Sequence, residues 1–130
     1  MLTEKQKFID IYVAGPYSNN LNIVRNWRYK EITHYAAHLV KAGYVVYSPI
    51  TQSHPMVLEC PELGTDWAFW QKYDEVYIPL CKELHILMLP HWDVSVGVAA
   101  EIIEFEKLEK CVTKVKWVEN HEYQIEQKGE

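Results

Sequence analysis

Four carboxylates in the second half of the chain have the residue types that glycosyl chemistry requires. Asp66 and Asp74 flank the aromatic run "WAFWQKY", while Asp93 begins and Glu101 ends the stretch "DVSVGVAAE". In glycosidic-bond cleavage one carboxylate attacks the anomeric carbon as a nucleophile, and another assists proton transfer. Most surface aspartates have no such role, so the residue types alone leave both interpretations open.

The position of Glu101 on its helix bears on this choice. At about 100° per residue, Glu101 projects between Phe105 and Leu108, which is an apolar sector, and away from Lys107. Burial would raise the pKa of this carboxyl, whereas the helix N-terminus and hydrogen bonds would lower it. A buried reactive carboxylate and a solvated helical glutamate therefore both remain open from the pattern.

The elements that must position these groups alternate along the chain. The patterns of apolar residues predict strands at Phe8–Ala14, Tyr44–Pro49, His85–Pro90 and Thr113–Val118, and helices at Leu21–Ala42, Thr65–Glu83 and Ser95–Lys110. Thr65 and Ser95 are the expected N-caps, and Pro79 should kink or split the middle helix. The stretch between residues 50 and 64 contains Pro55, Pro61 and Gly64, and we expect a long loop there.

This order predicts a single-domain α/β fold over residues 1–130. We expect a Rossmann-like or flavodoxin-like three-layer αβα sandwich, with a parallel sheet of four or five strands in which the first strand is central and the fourth lies nearer an edge. Residues 119–130 are expected to form a flexible or interface tail. Ligands of such sheets bind at the carboxyl ends of the strands, which selects residues 15–18, 48–54 and 91–97 as one rim.

The turn "GPYS" after the first strand can form part of a binding site. It has neither the G-x-G-x-x-G spacing of a dinucleotide site nor the lysine of a P-loop, but its amides and the hydroxyl of Ser18 can hold one small anion. A plain strand-to-helix turn explains it equally well. Ser95 and Gly97 offer a hydroxyl, helix-start amides and a close backbone approach to a ligand.

Composition excludes several classes of function. A net charge of −5 argues against a nucleic-acid polymer as partner. No run of about 18 apolar residues is present, so we expect a cytoplasmic protein without membrane contact. The histidines lack HxH or HExxH spacing and the three cysteines form no CxxC pair, so we expect neither a metal site nor another cofactor, and His85 should be structural.

Four blocks of the sequence, occurring in order, are similar to a small bacterial and phage family of unassigned function. They are "IYVAGPYS", "AGYVVYSPITQSHP", "DWAFWQKYD" and "LMLPHWDVSVGVAAEI". That family resembles a branch of the nucleoside 2-deoxyribosyltransferase superfamily, which also contains deoxynucleoside 5′-monophosphate N-glycosidases. The resemblance extends from about Ile9 to Val118 and implies one domain of this type.

The resemblance implies roles for particular residues. The superfamily pattern S-x-G-x-x-x-E falls on Ser95, Gly97 and Glu101, which makes Glu101 the expected nucleophile on the sugar C1′. An aspartate of the preceding helix would assist departure of the base, with Asp74 as the first match and Asp66 as the second.

Further residues are implied in substrate binding. The expected set is Gly15, Pro16, Tyr17, Ser18, His54, Trp92, Asp93, Ser95 and Gly97, and the phosphate candidates are Ser18, Arg25, Arg28 and Ser95. Trp92 would wall the pocket by stacking, although both Trp92 and Tyr17 could equally be core residues. The resemblance also implies a homo-oligomer, which the many Tyr and Trp residues allow.

The predicted activity is hydrolysis or transfer at the N-glycosidic bond of a 2′-deoxynucleoside or its 5′-monophosphate. A non-catalytic module that binds or senses a nucleotide on the same fold is the alternative, and a purely structural oligomer is a third. The base, the sugar and the acceptor are open at this stage.

Overall fold

The computed structural model describes residues 7–126, which form a five-stranded sheet with helices on both faces. The strands are β1 (Ile9–Ala14), β2 (Val46–Tyr47), β3 (Cys81–Met88), β4 (Cys111–Lys116) and β5 (Gln124–Ile125). The helices are α1 (Asn22–Lys41), α2 (Pro49–Glu59), α3 (Trp67–Tyr77) and α4 (Val96–Lys107). Short 3-10 turns occur at Pro61–Leu63, Ile78–Leu80 and Trp92–Val94.

The sheet has the order β2-β1-β3-β4-β5. β1 pairs in parallel with β2 and β3, β3 pairs in parallel with β4, and only β5 is antiparallel to its neighbour. This confirms the α/β class, the three layers and the internal position of β1. In a doubly wound sheet of this order the crossovers leave β1 and β3 in opposite directions, which opens a crevice at the carboxyl ends of those two strands.

Alternation along β1 divides the core into two halves. Ile11 and Val13 pack on one face of the sheet with α1, whereas Tyr12 and Ala14 pack on the other face with residues of α4 such as Phe105. Because successive side chains of a strand point to opposite faces, one buried strand supports both layers. Tyr12, completely buried, is therefore the polar group that β1 contributes to the α3 and α4 side.

α1 is the longest helix in the described part of the chain, with 20 residues. Its buried side chains are Arg28, Ile32, Tyr35, Ala36 and Leu39. Four of them are core residues, and Arg28 is the charged exception. Within residues 7–126, no helix combines the length and the apolar character that crossing a membrane requires.

The prediction of a long loop between residues 50 and 64 is wrong, because residues 49–59 form α2. Pro49 occupies the first turn, where its missing N–H costs nothing and its fixed φ favours the helix. Pro55 lies inside α2, but His54 is buried and Ile50 packs against the core. Tertiary packing therefore outweighs the local signal of the prolines.

Several helices and strands begin or end at residues that differ from the predicted ones. Asp66, and not Thr65, caps α3 by accepting a hydrogen bond from the Ala68 amide at 3.3 Å. The helix ends at Tyr77 and a 3-10 turn contains Pro79, as expected for a residue that splits a helix. β3 then starts at Cys81, earlier than predicted. Ser95 is confirmed as the N-cap of α4.

The expectation of a flexible tail is wrong for residues 119–126. The Glu126 amide donates to the Lys114 carbonyl at 2.8 Å, which extends the sheet with β5. The Tyr123 ring lies 4.7 Å from that of Tyr35, and the His121 ring stacks on that of His34 at 3.8 Å. Aromatic contacts with α1 thus fix this segment, and residues 127–130 lie outside the described residues.

Candidate active site

A cavity of about 440 Å³ opens at the carboxyl ends of β1 and β3. We call it the main cavity. Its walls come from the loop after β1 (residues 15–18), the first turn of α2, the length of α3 and the start of α4. Its volume falls in the range of small-molecule sites, and its position is the one where α/β sheets of this order bind ligands.

Two buried carboxyls and one phenol meet at the floor of this cavity. The Tyr12 hydroxyl lies 2.6 Å from Asp74 Oδ1 and also forms a short hydrogen bond to Glu101 Oε2. Only 8% of Asp74 and 7% of Glu101 are exposed, and both residues line the cavity. A central strand, α3 and α4 therefore each contribute one member of a group that we call the Tyr12 network.

The Tyr12 network needs one proton more than the phenol supplies. The hydroxyl carries a single hydrogen, whereas two carboxyl oxygens lie within hydrogen-bonding distance of it. If both carboxyls were ionised, one of them would face the phenol oxygen with no hydrogen between them. A proton on one carboxyl gives each contact a donor, so the three groups form a carboxyl, phenol and carboxylate chain.

The electrostatics of the site agree with this proton count. Burial raises the pKa of Glu101 well above its ordinary value and the nearby Asp74 carboxylate raises it further, while the Tyr12 hydrogen bond opposes both. Burial also raises the pKa of Asp74, against hydrogen bonds from Tyr12 and Trp67. Burial and both carboxylates raise the pKa of Tyr12, so the phenol keeps its proton. Such shifted groups in a cleft are typical of active sites.

Trp67 joins α3 to α4 at the cavity wall. Its indole Nε1 donates to Asp74 Oδ2 at 3.2 Å. A Cβ placed on Gly97 would lie 3.4 Å from the Trp67 ring, so the indole lies directly beside the start of α4 while it holds the Asp74 carboxylate.

The loop after β1 is held close to α1. A Cβ on Gly15 would lie 2.7 Å from Ile32 Cδ1, so only glycine permits this approach. Arg28 donates from Nη1 to the Ser18 carbonyl at 2.9 Å and lies nearer the limit of bonding, at 3.4 Å, from the Tyr17 carbonyl. Arg28 is buried, lines the cavity and forms no ion pair with any carboxylate of residues 7–126. An uncompensated cation therefore lies at the edge of the site.

Both predicted serines line the main cavity. The Ser18 hydroxyl donates to the Thr65 carbonyl at 2.8 Å, which ties the first loop to the start of α3. The Ser95 hydroxyl accepts from the Val98 amide at 3.3 Å. This cap satisfies the Val98 amide, whereas the amides of Val96 and Gly97 have no intrahelical acceptor. Both residues line the cavity, so the N-terminus of α4 favours an anion there.

Aromatic rings form much of the wall of the main cavity. The cavity-lining rings are Tyr17, Tyr47, Trp67, Trp70 and Tyr73. Tyr47 stacks on Tyr77 at 4.0 Å, and the Trp70 indole donates to the Gly64 carbonyl at 2.9 Å, so both rings are fixed. Rigid aromatic faces suit a planar, partly apolar ligand such as a nucleobase.

The structure brings most of the predicted site residues together. The predicted residues that line the main cavity are Gly15, Pro16, Tyr17, Ser18, Arg28, Asp66, Asp74, Ser95, Gly97 and Glu101. Among these, Asp66 uses its carboxylate to cap α3, which leaves Asp74 as the aspartate beside Glu101.

Four predicted residues lie elsewhere. His54 and Arg25 line a second cavity, because α2 turns His54 away from the main one. Trp92 packs against the core on the α4 side, with Lys114 Nζ 5.3 Å from its ring, so it does not wall the main cavity. Asp93 is exposed in the 3-10 turn and is not a lining residue.

Sequence reasoning missed Tyr12 and Trp67. The signal for Tyr12 was present, because a hydroxyl-bearing residue two positions before the last residue of an apolar strand must lie near the rim, on the face opposite Ile11 and Val13. Trp67 and Asp74 both belong to α3 and lie seven residues apart, so the helical period could have placed the two side chains on one face of that helix.

The histidines are held by other contacts. His85 is buried, with Nδ1 2.6 Å from the Tyr35 hydroxyl and Nε2 2.9 Å from Glu83 Oε1, which is the structural role predicted for it. In the part of the chain that the structure describes, no three His, Cys, Asp or Glu side chains are grouped so that they could hold a metal ion.

Comparison with known proteins matches nearly the whole described chain to one family. The model of a domain of unknown function, DUF1937, matches residues 9–117. The match begins with β1 and ends just after β4, so it includes the main cavity and all three members of the Tyr12 network. A search of curated proteins finds no match. Since the family model spans most of the sequence, the chain belongs to the DUF1937 family.

Proposed function

We propose that the protein cleaves the N-glycosidic bond of a 2′-deoxynucleoside, or of its 5′-monophosphate, through a covalent glycosyl intermediate on Glu101. One observation carries this proposal: a buried carboxyl, phenol and carboxylate chain at the floor of an aromatic cavity. The nearest oxygens of the two carboxyls cannot be farther apart than two hydrogen bonds. Such a separation suits a nucleophile and an acid acting on the same bond, with no space for a water between them.

The first chemical step forms one bond and breaks one. The Glu101 carboxylate oxygen bonds to the sugar C1′, the bond from C1′ to the base nitrogen breaks, and its electron pair leaves with the base. Asp74 supplies the proton that the departing base takes up. Water then attacks C1′, gives a proton to Asp74 and releases Glu101 as the carboxylate. A second base in place of water gives transfer.

The position of the shared proton decides which carboxyl acts as the nucleophile and which as the acid. Asp74 accepts hydrogen bonds from both Tyr12 and Trp67, whereas Glu101 has only Tyr12. The resting proton therefore belongs on Glu101. When Glu101 passes it to the Tyr12 oxygen and Tyr12 passes its own proton to Asp74, Glu101 becomes the ionised nucleophile and Asp74 the acid. Tyr12 thus links the two catalytic groups in one transfer.

A 5′-phosphate is the form of substrate that the rim favours. The Arg28 guanidinium lacks a carboxylate partner among residues 7–126. The first amides of α4 and the Ser18 side chain line the same cavity. A cation, a helix N-terminus and a hydroxyl together are typical ligands of a phosphate.

A release assay tests the proposal. The protein is incubated with the four deoxynucleosides, their 5′-monophosphates and the matching ribonucleotides, and free base is measured by chromatography. We expect base release from at least one deoxy compound, and a peptide containing Glu101 that gains the mass of one deoxyribosyl group. Absence of base from every compound would contradict the proposal. Nucleotide-dependent thermal stabilisation without release would instead favour the nucleotide-binding module.

A further inference from the structure

A second cavity of about 670 Å³ adjoins the main one. It lies between the first turns of α1 and the later part of α2, and Pro61, Gly64 and Thr65 complete it. Tyr17 and Thr65 line both cavities, so they form the wall between them. Its lining combines polar residues of α1 with the apolar side chains of Val57 and Leu58 on α2.

His54 gives this cavity an unpaired buried polar atom. Only 4% of the residue is exposed, its Nδ1 lies 2.6 Å from the Tyr17 hydroxyl, and its ring stacks on that of Tyr29 at 4.2 Å. Its Nε2 is buried and has no hydrogen-bond partner among residues 7–126. A buried polar group without a partner is unfavourable, and a ligand atom would supply the missing partner.

The tautomer of His54 follows from its neighbour. Burial raises the pKa of Tyr17, so its phenol keeps the proton despite the opposing charge of Arg25. We assign the phenol as the donor to Nδ1, because it has no other acceptor among the described residues. In this tautomer Nε2 carries the N–H and can donate to a group that accepts hydrogen bonds.

A helix N-terminus and a cation line the same cavity. The first helical residues, Asn22 and Ile23, line it together with Arg25 and Asn26. The N-cap of α1, Leu21, provides no side-chain hydrogen bond, and the first turn contains no acidic residue. Arg25 donates to the Asn19 carbonyl and the Asn22 side chain but pairs with no carboxylate of residues 7–126.

We propose that the second cavity binds the oxyanion group of a small molecule, a phosphate or a carboxylate, whose apolar part lies against Val57 and Leu58. His54 Nε2–H and the Arg25 guanidinium bind the oxyanion, and the uncapped amides of α1 complete its ligands. This site does not depend on the glycosidic chemistry of the main cavity. Tyr17 lines the main cavity and is hydrogen-bonded to His54, so a ligand bound to His54 also fixes the position of Tyr17.

The test is a titration followed at the His54 ring by nitrogen-15 NMR. Histidine-labelled protein is titrated separately with inorganic phosphate and with acetate, and His54→Gln assigns the resonance. We expect the Nε2–H tautomer in the free protein. One or both anions should shift the Nε2 signal saturably, with a Kd at or below about 1 mM, and the tighter anion identifies the ligand class. Absence of a saturable shift with both anions would overturn the proposal.

Two variants of α1 locate the anion. Arg25→Gln should weaken the effect on His54 by at least about tenfold, because a charge-assisted hydrogen bond is lost. Lys30→Gln removes an exposed cation of the same helix that lines neither cavity, and it should leave the Kd within about twofold. If Lys30→Gln abolishes the shift, or if Arg25→Gln leaves it unchanged, the anion is not bound in the second cavity and the proposal is wrong.

Discussion

Two tyrosine hydroxyls, one on each face of the sheet, are the centres of contrasting networks. On the α3 and α4 face, Tyr12 lies between the carboxyls of Asp74 and Glu101. On the α1 face, the Tyr35 hydroxyl contacts His85 Nδ1 at 2.6 Å, and His85 Nε2 contacts Glu83 at 2.9 Å. We call the second group the Tyr35 network.

The difference lies in the balance of donors and acceptors. In the Tyr35 network each ring nitrogen of His85 has one partner, Nδ1 the Tyr35 hydroxyl and Nε2 the Glu83 carboxylate. Tyr123 packs over Tyr35, and no described cavity reaches the group. The Tyr12 network has two acids for one phenol and opens into a cavity. A balanced, closed network suits structure, whereas an unbalanced, open one suits proton transfer.

The largest effect is expected from Glu101→Gln. The amide keeps the shape of the side chain but cannot attack C1′, so base release should fall by about 10³-fold or more. Release is measured under single-turnover conditions. Glu106→Gln, an exposed position on the same helix, is the matched control and should retain full activity. Equal rates for wild type and Glu101→Gln would show that Glu101 is not the nucleophile and that the Tyr12 network is not catalytic.

Tyr12→Phe should have the next largest effect. The ring keeps its edge contacts with Tyr47 and Phe105, both at 5.5 Å, but the proton path between the carboxyls is lost. We expect base release to fall by about 10²-fold, as is usual when proton transfer is removed. The pH dependence of release should also change, because the two carboxyls then titrate without the phenol between them. An unaltered pH profile would show that Tyr12 is only a packing residue.

Tyr35→Phe makes the equivalent change in the closed network. Loss of the hydroxyl leaves His85 Nδ1 without its partner, so the free energy of unfolding should fall by about 1 kcal/mol. Base release should be unchanged, since none of the three residues of the Tyr35 network lines the main cavity. Urea unfolding measures the first quantity and the release assay the second. A loss of activity without a loss of stability would show that the Tyr35 network is functional and not structural.

The sequence predicts most of the strands and helices that carry the two networks, but it identifies only half of the residues in the Tyr12 and Tyr35 networks. Periodicity correctly predicts the order of β1 to β4 with α1, α3 and α4, the cap at Ser95 and the apolar sector from which Glu101 projects, because these depend on local spacing. Asp74 is likewise placed by its helix. The mostly apolar β1 segment does not single out Tyr12 unless the period of two, which directs this side chain to the α4 face, is applied.

The errors share a cause in tertiary contacts. The prolines near residues 49–59 favour a loop locally, yet packing of His54 and Ile50 makes this segment α2. Because a helix forms there, His54 lies with Arg25 in the second cavity and not in the main one. The C-terminal segment is polar along the sequence, but Tyr123 gives it a buried contact on α1. Such pairings between distant residues have no local signal.

The smallest expected effect is a change in how stability depends on pH. The pKa of Glu101 is raised in the folded state above its ordinary value of 4.5. The folded protein therefore holds a proton that the unfolded chain releases, and its stability falls as pH rises from that value through the folded pKa.

Glu101→Gln removes this contribution and retains that of Asp74, whose pKa is also raised. The variant should therefore gain stability relative to wild type between about pH 5 and about pH 8, a range in which buried carboxyls lose their protons. Urea unfolding at several pH values measures the difference, with Glu106→Gln as the control for loss of one charge. Parallel curves for wild type and Glu101→Gln would mean that Glu101 is ionised throughout, and that the extra proton of the Tyr12 network resides on Asp74.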